Sequence, residues 1–211
     1  SFDALMSQLS DPEISNVVGR ALQELHDQRS IDRLLPTLAT DDANWRGHVA
    51  AIVGKVGAPA VEPLLELLTS EDSRLRAAGA TGLGFTQDRR AVDPLAESLR
   101  SNPESEVRAE AASSLGFLPD EGVVEPIVGA LSDSSVRVRQ AALGALYHLA
   151  LTRRAPLDIL PAVEWVAAND AGTIQGYPVI KDTAQRVVRE LRLQMDEEEP
   201  ASRLQANEPE R

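Results

Sequence analysis

Four arginines recur at nearly constant spacing. Arg46, Arg76, Arg108 and Arg139 stand 30, 32 and 31 residues apart. A guanidinium stays charged at any ordinary pH and presents a flat fork of N–H donors that fits a carboxylate or phosphate two bonds at a time. Such a column has two chemical uses. Aligned by a repeating fold, it makes a basic stripe for an acidic partner. Paired with the acids of the adjoining turns, Asp42, Asp72, Glu104 and Asp133, it ties neighbouring units together. A scaffold needs the same tie in every unit, whereas a binding site rarely needs four copies. Arg76 and Arg108, in the most regular part of the chain, are therefore expected to be structural. Arg46 and Arg139 lie beside Trp45 and close to Tyr147, and are expected to take part in partner binding.

The residues that break the pattern are the other candidates, because a departure does no scaffold work. Trp45 replaces a small aliphatic, and Tyr147-His148 replaces the Gly-Phe of Gly84-Phe85 and Gly116-Phe117. Tyr177 sits in a long link, Ala171 to Pro178, and loops on a rigid scaffold often carry binding. Aromatics are only 3% of the chain, and Tyr, Trp and Arg are the side chains that interfaces favour.

Catalytic and cofactor chemistry finds little support. His26, His48 and His148 are scattered, without a helical-spacing His or Glu partner that would suggest a metal. There is no Cys, which removes thiolate ligands and cysteine nucleophiles. Gly82-Leu83-Gly84 ends a helical pattern instead of opening one, so it is not a phosphate loop. No cofactor is expected.

The elements that carry these residues repeat as well. Lines headed by Ala60, Ala91 and Val123 begin 31 and 32 residues apart, which marks a stacked-repeat architecture. Each opens with an acid before proline (Glu62-Pro63, Asp93-Pro94, Glu125-Pro126), suited to the first turn of a helix. A short polar link follows, then a helix of Ala and Gly around a few Leu. Gly54, Gly84 and Gly116 share one column, each directly after an apolar residue. Glycine weakens a lone helix by about 1 kcal/mol, so these positions imply helices that approach closely. The unit is helix, turn, helix, burying its apolar face only against its neighbours.

These lines resemble the HEAT-like repeats of the phycobilisome-lyase family, whose pattern runs from aspartate through Val-Arg and an Ala-rich helix to Leu-Gly. Leu75-Arg76 with Leu83-Gly84 and Val107-Arg108 with Leu115-Gly116 match it. Val138-Arg139 with Leu146 matches too, with Tyr147 in place of the glycine. The resemblance spans roughly residues 2–155 and implies an all-α, right-handed solenoid of about five to six repeats. It also implies a rival to a plain scaffold: a phycobilin lyase or accessory subunit, which would work beside a second HEAT-like chain. The iron hydroxylases of similar architecture carry adjacent His-Glu pairs, and this chain has none.

The expected organisation is a solenoid over 1–194, with an N-terminal cap repeat at 1–29, four repeats over 30–155 and a divergent C-terminal cap over 156–194. Pro36 is expected to bend the first helix of its unit, with Pro161 in the same column. Residues 195–211 are acidic and aperiodic and read as a disordered tail. A net charge of −12 argues against nucleic acid, which needs phosphate-neutralising cations. No run approaches the roughly 18 apolar residues of a membrane span, and no signal peptide is visible. The sequence thus points to a cytoplasmic, non-enzymatic scaffold that binds another protein on its concave surface, in a possible hetero-oligomer.

Overall fold

The computed structural model describes residues 28–170, 172 and 179–205. The expected cap repeat falls almost wholly outside these residues, and so does Tyr177 with most of its link. Among the described residues there are ten α-helices and no strand. They alternate as first and second helices of stacked pairs: α1 Gln28–Leu34 with α2 Ala43–Gly54, α3 Val61–Leu68 with α4 Ser73–Phe85, and α5 Val92–Ser101 with α6 Ser105–Leu115. Then come α7 Val124–Gly129 with α8 Val136–Leu151, and α9 Leu160–Asn169 with α10 Val179–Gln205. None of the helices is long and apolar enough to cross a membrane.

Local chemistry sets the helix ends. Asp42 accepts from the backbone N–H groups of Asn44 and Trp45 (2.9 and 3.1 Å), and Asp72 from that of Arg74 (2.9 Å), so both cap second helices. The first helices are entered instead through 3-10 turns, Ala58–Ala60, Arg89–Ala91, Glu121–Val123 and Leu157–Ile159. Pro63, Pro94 and Pro126 follow in the first helical turn, where a missing N–H costs nothing. Pro161 belongs to this group: it opens α9 and does not repeat Pro36. Pro36 acts differently. At Leu35 the α-helix gives way to a 3-10 turn, Leu35–Leu38, because proline cannot donate the next helical bond.

Packing is lopsided. Each second helix packs along its length on the next, α2 on α4, α4 on α6, α6 on α8 and α8 on α10, while neighbouring first helices touch only sparsely. A stack whose two layers are so unequally spaced must curve, with the second helices on the inside. The core lies between the layers. Leu64, Leu95, Ile127 and Val163 of the first helices and Val53, Leu83, Leu115, Leu146 and Leu191 of the second are all fully buried. Each contributes about 1.5–3 kcal/mol of burial.

The glycine column explains the close inner spacing. A Cβ on Gly54 would stand 2.0 Å from the Gly82 carbonyl oxygen, and one on Gly84 would stand 2.7 Å from the Ser114 Cβ. In α8 the same column holds Tyr147, partly buried against the core. The last helix differs from expectation. It runs without a break from Val179 past Met195 to Gln205, through residues assigned by composition to an aperiodic tail. Glutamate is a good helix former, so an acidic run appended to a packed helix extends it.

Candidate functional site

The arginine column resolves into a ladder with a defined rule. In each unit the arginine turns back to its own link: Nη1 donates to the carbonyl six residues earlier, Thr40 (2.7 Å) for Arg46, Ser70 (2.8 Å) for Arg76, Asn102 (2.9 Å) for Arg108 and Asp133 (2.8 Å) for Arg139. Those link residues share a second habit. The side-chain oxygens of Thr40, Ser70, Asn102 and Asp133 each accept from the backbone N–H two residues on, of Asp42, Asp72, Glu104 and Ser135. Asp170, which opens the following link, does the same with Gly172. Such self-bonded turns are what Thr, Ser, Asn and Asp favour.

The remaining edge of each guanidinium faces the next unit, and the sequence decides what it meets. Arg108 gives Nε and Nη2 to the two carboxylate oxygens of Asp133 (2.8 and 3.0 Å). Arg139 gives the same pair to Asp170 (2.5 and 3.1 Å). Arg76 would need an acid at position 102 and has Asn102; among the described residues its buried Nε has no hydrogen-bond partner and no carboxylate lies in ion-pair range. Arg46 has Ser70 ahead of it. It reaches Glu106, two units away, at 3.6 Å. That contact also measures the curvature, since it joins the starts of α2 and α6 across α4.

Two expectations change accordingly. The acids of an arginine's own link, Asp42, Asp72 and Glu104, are not its side-chain partners: Asp42 and Asp72 cap helices and Glu104 precedes α6. Arg139, expected to face a partner, is committed to Asp170, whereas Arg76, expected to be structural, lacks the inter-unit acid. Both bound aspartates show the effect of pairing. Burial pushes the Asp133 carboxyl up, but the Arg108 fork, the Ser135 N–H and Arg139 outweigh it and hold the group below the usual range. Asp170 is lowered by the Arg139 fork against a smaller effect of burial. Half-buried Asp72, gripped by the side chain and N–H of Arg74, is lowered to about 2.

A second ladder runs along the other ends of the inner helices. Lys55 Nζ lies 5.5 Å from the Phe85 ring centre, Phe85 stacks on Phe117 at 5.7 Å and 19°, and Phe117 meets His148 at 5.0 Å and 59°. These four residues occupy one column, directly after the glycine position, so each unit contributes one ring or cation. Phe117 is 40% exposed. Beside it, a groove of about 360 Å³ opens between α6 and α8, lined by Glu110, Ser113 and Phe117 on the α6 side and by Arg137, Gln140, Gly144 and His148 of α8. His148 lines this groove. Trp45 and Tyr147 are partly buried against the core. Arg46 is 6% exposed.

Trp165 was not singled out by the repeat pattern. It stands on α9 at 63% exposure, near the end of the stack where a cleft of about 670 Å³ lies between α9 and α10. Its signal was its rarity as one of two tryptophans in the chain. Among the described residues no group of His, Cys, Asp and Glu could hold a metal ion.

A curved stack of helix pairs with a continuous inner layer is the architecture of helical-repeat proteins, and the sequence relationship agrees. The family profile for HEAT repeats matches residues 2–84, 31–116 and 92–160, so the chain belongs to the HEAT-repeat family. Among solved structures it is similar to a chain of the complex of CpcE and CpcF of phycocyanin lyase from Nostoc sp. PCC7120, with 22% identity, 78% of this chain and 99% of that chain covered, and a TM-score of 0.63. It is also similar to an engineered protein, with 21% identity, 90% and 96% covered, and a TM-score of 0.55. At these identities the likeness concerns the fold. Comparison with curated proteins finds no match.

Proposed function

We propose that this protein is a non-enzymatic scaffold that binds a partner protein on the concave surface of its solenoid. The observation that carries the reading is the ladder of Lys55, Phe85, Phe117 and His148 along one end of the inner helices, of which Phe117 and His148 also line the groove between α6 and α8. Stacked rings contribute about 0.5–1.5 kcal/mol per pair, yet a core position would use them better than a solvent-facing edge does. Aromatic surface held rigid by a scaffold, with polar groups opposite, is what a protein interface uses as its anchor. The chain's net charge of −12 speaks against nucleic acid as the ligand. The test replaces Phe85 and Phe117 together by Ser and compares capture of protein from native lysate with that by the unaltered protein. The variant should melt within a few degrees of the parent and lose the captured species. Equal capture by both would overturn the reading.

A second reading is a phycobilin lyase or its accessory subunit, favoured by the coverage of 99% of the Nostoc lyase chain. Its test is transfer of a bilin to an apo-phycobiliprotein, followed by absorbance of the covalent product, with and without a second HEAT-like chain. No change in product on adding this protein would dismiss it.

A further inference from the structure

We propose that the open end of the stack, the cleft between α9 and α10, is a second docking surface, and that its occupant is an amphipathic helix of a partner protein with two carboxylates one turn apart. This surface is distinct from the concave layer, and the inference stands apart from the reading of that layer.

Interior units show what such a face is built to do. The fully buried Leu83, Leu115, Leu146 and Leu191 put the second helices in register. On α4, Gly84 faces Ser114 of the next second helix, and the Thr81 hydroxyl donates to Glu110 Oε2 of that helix at 3.1 Å. Gly116 meets Ala145 one unit further on. In α10 the places of Thr81 and Gly84 are taken by Arg189 and Arg192. Buried Val163 likewise aligns α9 with Leu95 of α5, so that Glu164, Ala167 and Ala168 correspond to Ala96, Leu99 and Arg100, which line the seat of α7. All five of these terminal residues line the cleft of about 670 Å³. Its walls are the surface by which each unit receives the next, continued to a point where no further helix pair follows among the described residues.

The end departs from the interior in a directed way. Gly84 lies so near Ser114 that even a Cβ would stand 2.7 Å away, whereas the same column holds Arg192 here. Another unit of the same kind is thereby held off. Yet the face is not sealed by charge: Ala167, Ala168, Val188 and Leu193 still line the cleft, and Leu193 is 49% exposed. A cap that served solubility alone would cover apolar surface of this kind.

Charge selects the occupant. Three cations, Lys181, Arg189 and Arg192, and two carboxylates, Glu164 and Asp196, line the cleft. Arg192 reaches Glu164 at 2.7 Å in an exposed pair, while Lys181 and Arg189 form no ion pair among the described residues. Asp196 lies about two turns beyond Arg189, and the other acids of this stretch, Asp182 and Glu190, do not line the cleft. In the interior the positions set against the Thr81 and Gly84 places are Glu110 and Ser114, one turn apart on a single helix face. A helix seated on Arg189 and Arg192 meets them with the same spacing, and carboxylates there pair with both guanidiniums.

The test uses the full chain and three fluorescein-labelled amphipathic peptides of about 18 residues, long enough to be helical, identical except that two polar positions four apart hold Glu, Gln or Lys. By fluorescence anisotropy the Glu peptide should bind at least about fivefold more tightly than the Gln peptide, and the Lys peptide more weakly than either. Arg189→Glu with Arg192→Glu should invert that order, and Arg189→Gln with Arg192→Gln should make the Glu and Gln peptides equal, both with an unchanged circular dichroism spectrum. No binding of the Glu peptide, or one order of affinities in parent and variants, would overturn the proposal. Sedimentation of the parent alone showing self-association that the Glu variant abolishes would make the occupant a second copy, and would overturn it too. Phe85→Ser with Phe117→Ser should bind the Glu peptide as the parent does; loss of binding there would place the peptide on the concave surface instead.

Discussion

Arg108 and Asp133 join two successive units through a fork-to-carboxylate pair, 2.8 and 3.0 Å long, with both side chains only 13% exposed. Neither partner belongs to the other's helix pair. The contact therefore measures how units are fixed to one another, a degree of freedom that hydrophobic burial alone leaves loosely specified. A pair this sheltered loses more on the removal of one partner than an exposed pair does, because the survivor stays desolvated.

Arg108→Ala is expected to lower unfolding stability by about 1–3 kcal/mol, read from the urea midpoint at constant slope. Arg76→Ala should cost less, since it loses carbonyl contacts and no inter-unit acid. Equal losses in the two variants would show that the aspartate adds nothing to the tie.

The same pairs set a pH dependence. Asp133 and Asp170 titrate below their ordinary range in the folded protein. An unfolded aspartate titrates near pH 3.9, approximately, so below that value the unfolded chain holds more protons than the folded one. Stability contributed by the two aspartates is present above about pH 4 and declines as pH falls through their lowered folded values. Asp133→Asn with Asp170→Asn should be less stable at pH 6 and should show a shallower acid-side decline. A parallel decline in parent and variant would contradict the assignment.

The repeat made the solenoid legible from sequence because Leu83, Leu115 and Leu146 do the same packing work in every unit, and identical work leaves a periodic trace. The ladder was half legible. Arginine periodicity identified a column, but which acid each member takes depends on the register between units, which no single line of the repeat contains. The distinction between Arg76 and Arg139 was written at Asn102 and Asp170, and becomes readable only once the six-residue offset from link to arginine is known. The aromatic ladder was visible as Phe85, Phe117 and His148 following one column, while Lys55 gave no hint of belonging with rings. The extension of α10 was misjudged from composition, because acidic runs are equally at home in solvent and on a helix that packing has already started.

Gly84→Ala offers a test of the inner spacing in which two effects have opposite signs. In an isolated helix the change gains about 1 kcal/mol. Here the new Cβ would stand 2.7 Å from the Ser114 Cβ and 2.8 Å from its Cα, which is backbone and cannot swing aside. Overpacking of this kind costs about 1–3 kcal/mol. A lowered melting temperature is expected, and a raised one would mean that α4 and α6 are not held as closely as described.

The end of the stack should show a sharp boundary in how much of α10 the fold requires. Leu191 is fully buried, and Gln194, at 5% exposure, donates from Nε2 to the Ala150 carbonyl at the end of α8. The next residue, Met195, is 44% exposed, and the Arg153–Glu197 ion pair is 61% exposed on both sides. Exposed pairs contribute roughly 0–1 kcal/mol, so the helical extension adds length without adding much stability. Deleting residues 195–211 should therefore lower stability by no more than about 1 kcal/mol. Deleting 191–211 removes Leu191 and the Gln194 bond as well, and should cost at least the roughly 2–5 kcal/mol of a buried leucine. Denaturant titrations of the two truncations decide the matter. If the shorter deletion is as damaging as the longer, the acidic run past Met195 is held by contacts beyond the Glu197 pair and belongs to the folded body.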